Sequence, residues 1–390
     1  METFHYLSRI SSLRPVLSCL RSILTARRTK VRAFLVKFAN ELKKKYSARQ
    51  NISQVPKMPE TLKYEKIESD TECGKVLNTL FVNKFRRGYV RVKGAVMPED
   101  FKKFGDRIQQ MDIRDDDVFV CSFPKAGTTW AQEMVWCIAN NLDYKGAEVV
   151  LPERFPFLDY SIIYNHEVMY EEDPDFSAPD YVMQSVKYVN ELNTRRFIKT
   201  HLPFRLLPEK LQNFSTQAKI IYICRNPKDA CISYYRYYQL IGDYSGDFDT
   251  LCKSFRNDML PYSPFWQHVL EYWAQRNNPC VLFLRYEEMK KDLPSVIRRT
   301  AKFLGKSLSE EELPRLAQHL SFESMKGNRA VNYKPQIQIN KKYNLSEKDG
   351  TTMPSGSVGG WKKLMTPQTV KEFDAWSDAK VDGSGFKFVC

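Results

Sequence analysis

The chain has 390 residues, enough for one large α/β domain with an added tail or for two to three smaller domains. Its 43% hydrophobic and 27% charged residues describe a soluble globular protein with ample core, and its formal charge of +14 asks for an anionic partner: a highly phosphorylated nucleotide, an acidic membrane face or a nucleic acid. The nine cysteines form no CxxC pair and fall mostly in apolar segments, which excludes a disulfide framework or zinc site in favour of buried free thiols; the five histidines form no metal-spaced cluster, so no metal is expected.

Residues 1–50 hold only two acidic residues, Glu2 and Glu41, while Lys and Arg crowd from Arg9 to Arg49. No apolar run there approaches the ~20 residues of a membrane-spanning helix. Leu7, Ile10, Leu13, Leu17, Leu20 and Leu24 recur at near-helical spacing, and Val31, Phe34, Leu35, Phe38, Leu42 and Tyr46 repeat the pattern. Residues 1–55 read as a basic N-terminal extension, amphipathic or disordered, with a mitochondrial transit peptide as the alternative. The stretch from Gln50 to Pro59 is linker-like, so a folded domain is expected over 60–385. From Leu62 to Phe101 the pattern suggests an irregular layer with a short helix around Cys73 to Phe85, and the core is expected to begin near Asp117.

Four short apolar runs then recur with helical material between them: Val118–Phe123, Phe197–Thr200, Ile220–Cys224 and Val281–Tyr286. Near-continuous apolar runs suit strands covered on both faces, and their spacing suits crossover helices. The expected fold class is therefore α/β, a P-loop-like, doubly wound parallel sheet flanked by helices. Ligands of such sheets sit at the carboxyl ends of the strands, where Phe123-Pro124-Lys125, Lys199-Thr200-His201, Arg225-Asn226-Pro227 and Arg285-Tyr286-Glu287 follow the four runs.

The first of these turns reads as a phosphate cradle. A helix opening after a tight loop aims unpaired N–H groups and the positive end of its dipole into that loop. Gly127 permits close backbone approach, Thr128 and Thr129 add hydroxyls, and Lys125 adds charge. Because Lys125 precedes Gly127, the loop departs from GxxxxGK[ST], which disfavours a P-loop kinase.

Four blocks resemble the cytosolic sulfotransferases that use 3′-phosphoadenosine-5′-phosphosulfate (PAPS): Phe123-Pro124-Lys125-Ala126-Gly127-Thr128-Thr129-Trp130; Lys199-Thr200-His201-Leu202-Pro203; Ile223-Cys224-Arg225-Asn226-Pro227-Lys228-Asp229 running to Ser233-Tyr234-Tyr235; and Gly359-Gly360-Trp361-Lys362. The resemblance spans roughly residues 60 to 380 and implies the sulfotransferase fold. It implies that Lys125, Ala126, Gly127, Thr128 and Thr129 hold the 5′-phosphate, that Trp130 lies against adenine, and that Arg225 and Ser233 hold the 3′-phosphate. Further nucleotide contacts are implied for Tyr286, Ser321, Phe322 and Gly356. His201 is the expected general base, a task suited to a group titrating near working pH, with Lys125 and Lys199 neutralising the transferred group and the leaving phosphate. The product nucleotide is PAP, and no metal is required.

The segment from Arg154 to Tyr160 resembles the family's gate, and Phe157 and His268 are the expected acceptor contacts in an apolar pocket for a phenol, steroid, retinoid or similar alcohol. The sequence departs from the family at Pro354 and Ser355, where Arg and Lys usually contact the 3′-phosphate, and at Pro367 and Lys371, within the usual dimer segment. Homodimerisation by that route is doubtful, and a catalytically weak protein that binds nucleotide or a lipophilic ligand is the alternative function. Free-looking cysteines and the absence of an anchor point to the cytoplasm rather than the Golgi lumen, with mitochondria as the alternative.

Overall fold

The computed structural model describes residues 61–83, 85–86, 88–331, 341–342 and 356–388. The basic extension over 1–55, Pro354 and Ser355 lie outside these residues.

A small antiparallel sheet comes first: β1 (Tyr64–Lys66), β2 (Tyr89–Val92) and β3 (Ala95–Pro98) pair in the order β1-β2-β3. This corrects the irregular layer expected over 62–101. The strands are only three or four residues long, and the β2–β3 hairpin turns on Lys93 and Gly94, both at positive φ (45° and 80°). Such a turn usually announces itself as Asn-Gly or Asp-Gly, and Lys93-Gly94 hides the signal. The core accordingly starts earlier than Asp117, since Val90, Val92 and Val96 are buried. The helix near Cys73 is α1 (Glu72–Leu80), capped by Thr71, whose hydroxyl accepts from the Gly74 amide at 3.0 Å.

The expected parallel sheet follows. β4 (Val118–Cys121), β5 (Phe197–Thr200), β6 (Lys219–Cys224) and β7 (Val281–Arg285) run parallel in the order β5-β4-β6-β7. The side chains of β4 divide by alternation: Phe119 and Cys121 enter one core, Val118 and Val120 the other. Ile220 and Tyr222 of β6 join the first, Ile221 and Ile223 the second. Burial on both faces is why these runs are continuously apolar, and each fully buried Val or Ile contributes roughly 1.5–3 kcal/mol.

Helices cover both faces. α2 (Thr128–Ala139) and α6 (Leu293–Phe303) place Met134, Val135, Val296 and Ile297 in one core. α3 (Pro227–Leu240), α4 (Phe248–Arg256) and α5 (Phe265–Ala274) place Tyr234, Phe255 and Trp266 in the other. α3 starts where Pro227 follows Asn226, whose side chain accepts from the Lys228 amide at 3.0 Å. Pro367 and Lys371 fall in α8 (Pro367–Val381), which lies C-terminal to α7 (Phe322–Gly327), and Pro367 sits there as a helix-starting residue behind the Thr366 cap. No helix among the described residues is long and apolar enough to cross a membrane.

Register aligns the carboxyl ends of the central strands. Cys121 of β4 pairs with Thr200 of β5 and with Tyr222 of β6. Ser122, His201 and the loop before α2 therefore emerge together at one sheet edge, the switch point of a sheet whose strand order reverses about β4.

Candidate active site

The loop between β4 and α2 is conformationally demanding. Lys125 has φ 71° and Gly127 φ 102°, and a Cβ on Gly127 would come within 2.6 Å of the Tyr286 ring. Only glycine meets both conditions at 127, whereas left-handed Lys125 is held at a cost of about 1–3 kcal/mol, as functional loops often are. Thr128 and Thr129 then open α2, with no acidic side chain in its first turn to compete for an anion.

A cavity of about 710 Å³ lies over this loop. On one side Trp130 donates its indole N–H to the Leu320 carbonyl at 2.8 Å and meets the Tyr286 ring edge-on at 5.6 Å. The Arg225 guanidinium lies 4.3 Å from the Tyr286 ring centroid and donates to the Ser357 carbonyl at 2.9 Å, while its Nε is buried without a hydrogen-bond partner among the described residues. Lys125 Nζ lies 3.8 Å from the Tyr237 ring centroid, and Lys199 Nζ 4.1 Å from that of Phe157. Beyond them the His201 ring packs edge-on against Phe157 at 5.1 Å and Tyr262 at 5.7 Å.

His201 is held from several sides. Its Nδ1 donates to the Ser122 carbonyl at 2.8 Å, and the Ser122 hydroxyl bonds Thr128 Oγ1 at 2.6 Å, tying His201 to the start of α2. Buried Asp159 accepts from the His201 amide at 3.2 Å, from the Thr200 hydroxyl at 2.8 Å and from the Tyr262 hydroxyl at 2.8 Å. His268 also serves here, donating Nε2–H to the His201 carbonyl at 2.9 Å while Nδ1 accepts from the Tyr222 hydroxyl at 2.9 Å.

The electrostatics follow from crowding cations in a dry wall. Burial, helped by Lys199 and Arg225, pushes Lys125 down to about 7, and burial pushes Lys199 down to about 8 against the pull of Asp159. Burial, then the Lys199 charge, holds His201 well below its ordinary value, so the imidazole is neutral at neutral pH. Asp159 rises to about 6, again through burial. A bound anion would relieve the lysines.

Of the expected residues, Lys125, Gly127, Thr128, Thr129, Trp130, Phe157, Lys199, His201, Arg225, Ser233, Tyr286, Phe322 and Gly356 line this one cavity. Three do not. Ala126 is buried beside it. The Ser321 hydroxyl caps α7, accepting from the Ser324 amide at 3.3 Å and donating to Ser324 Oγ at 2.9 Å. His268, expected at the acceptor, is fully buried with both ring nitrogens bonded, so it supports His201 rather than facing the cavity.

Two working residues escaped the sequence reading. Asp159 stood inside the gate segment, and its clue was an acidic residue in an aromatic run, which must be partnered if buried. Asp229 accepts from the Gly359 amide at 2.7 Å and from the Trp361 amide at 3.2 Å, binding the third and fourth sequence blocks together. Glu133, Cys137 and His319 also converge, a grouping invisible in sequence spacing, but Glu133 already bonds His319 through Oε1 at 2.7 Å and Arg154 through Oε2 at 2.5 Å.

A phosphate-type loop, two lysines and a neutral buried histidine at the carboxyl edge of a parallel sheet define a group-transfer enzyme of the α/β class. The sulfotransferase domain family matches residues 115–385, and the chain belongs to that family. Among curated relatives, luciferin sulfotransferase of Photinus pyralis is 42% identical over 337 residues, covering 86% of this chain and 91% of the relative. Sulfotransferase 1E1 of Homo sapiens is 32% identical over 305 residues, covering 77% and 95%. Among solved structures, retinol dehydratase in complex with androsterone and inactive cofactor PAP is similar at TM-score 0.76 and 28% identity, covering 85% of this chain and 99% of that one. The same enzyme with retinol and PAP matches at TM-score 0.73 and 28% identity, covering 85% and 100%.

Proposed function

We propose that the protein transfers the sulfuryl group of PAPS to a hydroxyl of a small hydrophobic acceptor, with His201 as general base. The observation that carries this reading is the Nδ1 bond of neutral His201 to the Ser122 carbonyl, which leaves Nε2 as the proton acceptor in the cavity that also holds Lys125 and Lys199.

The loop from Lys125 to Thr129 and the start of α2 receive the 5′-phosphate, and Trp130 lies against adenine. Arg225, whose Nε has no hydrogen-bond partner among the described residues, and Ser233 receive the 3′-phosphate. Lys125 and Lys199 neutralise charge on the transferred oxygens and on the departing phosphate, a stabilisation that grows as that charge develops. His201 Nε2 takes the acceptor proton as the oxygen attacks sulfur. Tyr160, Tyr164, Tyr238, Ile163 and Ile241 supply a lipophilic wall.

The likeness to retinol dehydratase favours a second outcome on some acceptors, in which the new sulfate ester leaves with a proton from the acceptor and an alkene remains. Incubation with sulfur-labelled PAPS and a panel of phenols, steroids, retinoids and amines separates the readings. Transfer yields labelled product, elimination an unlabelled product lighter by one water, and no consumption of PAPS would sink both in favour of a ligand-binding role. We assign the protein to the cytoplasm, with mitochondria as the alternative through the Arg-rich N-terminus, and leave a homodimer open, its usual segment being altered at Pro367 and Lys371.

A further inference from the structure

The acceptor side of the cavity is not uniformly apolar. Arg86 and Asp243 both line it, beside Ile163, Tyr164, Tyr238 and Ile241. Their side chains form an ion pair, Nη2 to Oδ2 at 2.8 Å, at 5% and 0% exposure. Arg86 Nε donates to the Ile163 carbonyl at 2.9 Å, and Asp243 Oδ1 accepts from Asn83 Nδ2 at 2.5 Å. Oδ2 is buried and receives no well-directed hydrogen bond among the described residues. A paired Arg and Asp in the wall of a lipophilic cavity is weak evidence of a stabilising role, because well-packed apolar residues often replace such pairs at little or no loss.

We infer that Arg86 and Asp243 form a polar subsite for a second, neutral hydrogen-bonding group on the acceptor, a ketone or hydroxyl remote from the hydroxyl that is sulfated. This rests on reading the cavity as the acceptor site. The pair offers a donor and an acceptor side by side with no net charge, which suits a neutral polar group. A carboxylate there would be repelled by Asp243 and an ammonium by Arg86, while an acceptor ending in hydrocarbon leaves Oδ2 with the Arg86 ion pair as its one partner among the described residues.

The test compares androsterone, which carries a hydroxyl and a remote ketone, with its analogue bearing a methylene in place of the ketone and another bearing a carboxylate there. Binding to the PAP-loaded protein and kcat/KM with PAPS are both measured. Wild type is expected to favour the ketone over the methylene analogue by about 10-fold or more, since a site built to bond a polar group rejects the analogue lacking it. In the double variant Arg86→Met, Asp243→Leu that ratio is expected to fall to within about twofold, and the ratio is insensitive to how much of the variant is folded. Equal wild-type kcat/KM for ketone and methylene forms overturns the subsite while sulfotransfer stands. So does preference for the carboxylate, which would mean that Arg86 acts as an unpaired cation. Failure of every steroid to bind or react removes the acceptor reading of the cavity, and the subsite with it.

Discussion

His201 Nδ1 lies 2.8 Å from the carbonyl oxygen of Ser122, and this single contact decides which ring nitrogen carries the proton. A carbonyl only accepts, so the neutral ring carries its proton on Nδ1 and presents the lone pair of Nε2. Ser122 follows β4 and His201 follows β5, so the tautomer is set by the register of two parallel strands.

Replacing His201 by Ala is expected to lower turnover on a hydroxyl acceptor by ~10²-fold or more while PAP affinity changes little. Initial rates at saturating PAPS and calorimetry with PAP measure the two separately. Near wild-type turnover in the variant would remove His201 as the base.

Nucleotide binding should take up protons. Lys125 sits at about 7 and Lys199 at about 8 before binding, both pushed down chiefly by burial. An anion favours their charged forms, so PAP affinity should be highest near and below pH ~7 and fall as pH rises toward ~9. Calorimetry at pH about 8 in buffers of different ionisation enthalpy reports the uptake, and enthalpies independent of buffer would contradict it.

Asp159 positions His201 through the backbone. Asp159→Ala strips the partner from the His201 amide and the Tyr262 hydroxyl inside the protein, for a loss of about 1–3 kcal/mol of stability. Turnover is expected to fall at least ~10-fold, with partial recovery in Asp159→Asn, which keeps an accepting oxygen. A lower melting temperature with unchanged kcat would make the role structural alone.

Asp229 clamps the segment that carries Gly356 to the start of α3. Gly356 has φ 54°, and a Cβ there would lie 2.3 Å from the Phe322 ring, so the segment fits closely. Asp229→Ala should weaken PAP binding by ~10-fold, about 1.4 kcal/mol, with little change in acceptor KM at saturating PAPS. Unchanged PAP affinity would show that the segment closes without the clamp.

Pro354 and Ser355 stand where the family usually supplies two cations. Each charge-assisted bond is worth roughly 1.5–3 kcal/mol, so Pro354→Arg, Ser355→Lys is expected to tighten PAP binding. Calorimetry against wild type decides, and equal affinities would mean that residues such as Lys363, which lines the cavity, already supply the charge.

The sequence by itself determined the parallel sheet, because strands buried on both faces leave unbroken apolar runs such as Val118–Cys121, and it marked the loop before α2, because Pro124 and Gly127 break the apolar run just ahead of a helix. It also marked His201, Lys125, Lys199 and Arg225, since each lies at or just beyond the carboxyl end of such a run. What only the tertiary structure decided is partnership between distant segments. Whether a histidine faces a cavity or is spent on other groups depends on what stands opposite it, so His201 and His268, 67 residues apart, take different parts of one arrangement. The same holds for Asp159 beneath His201, Asp229 under Gly359, and Arg86 against Asp243, whose contacts join residues 42 to 157 positions apart. Local periodicity reports which face of an element is buried, but a hydrogen bond or ion pair across the core leaves no spacing in the chain to read.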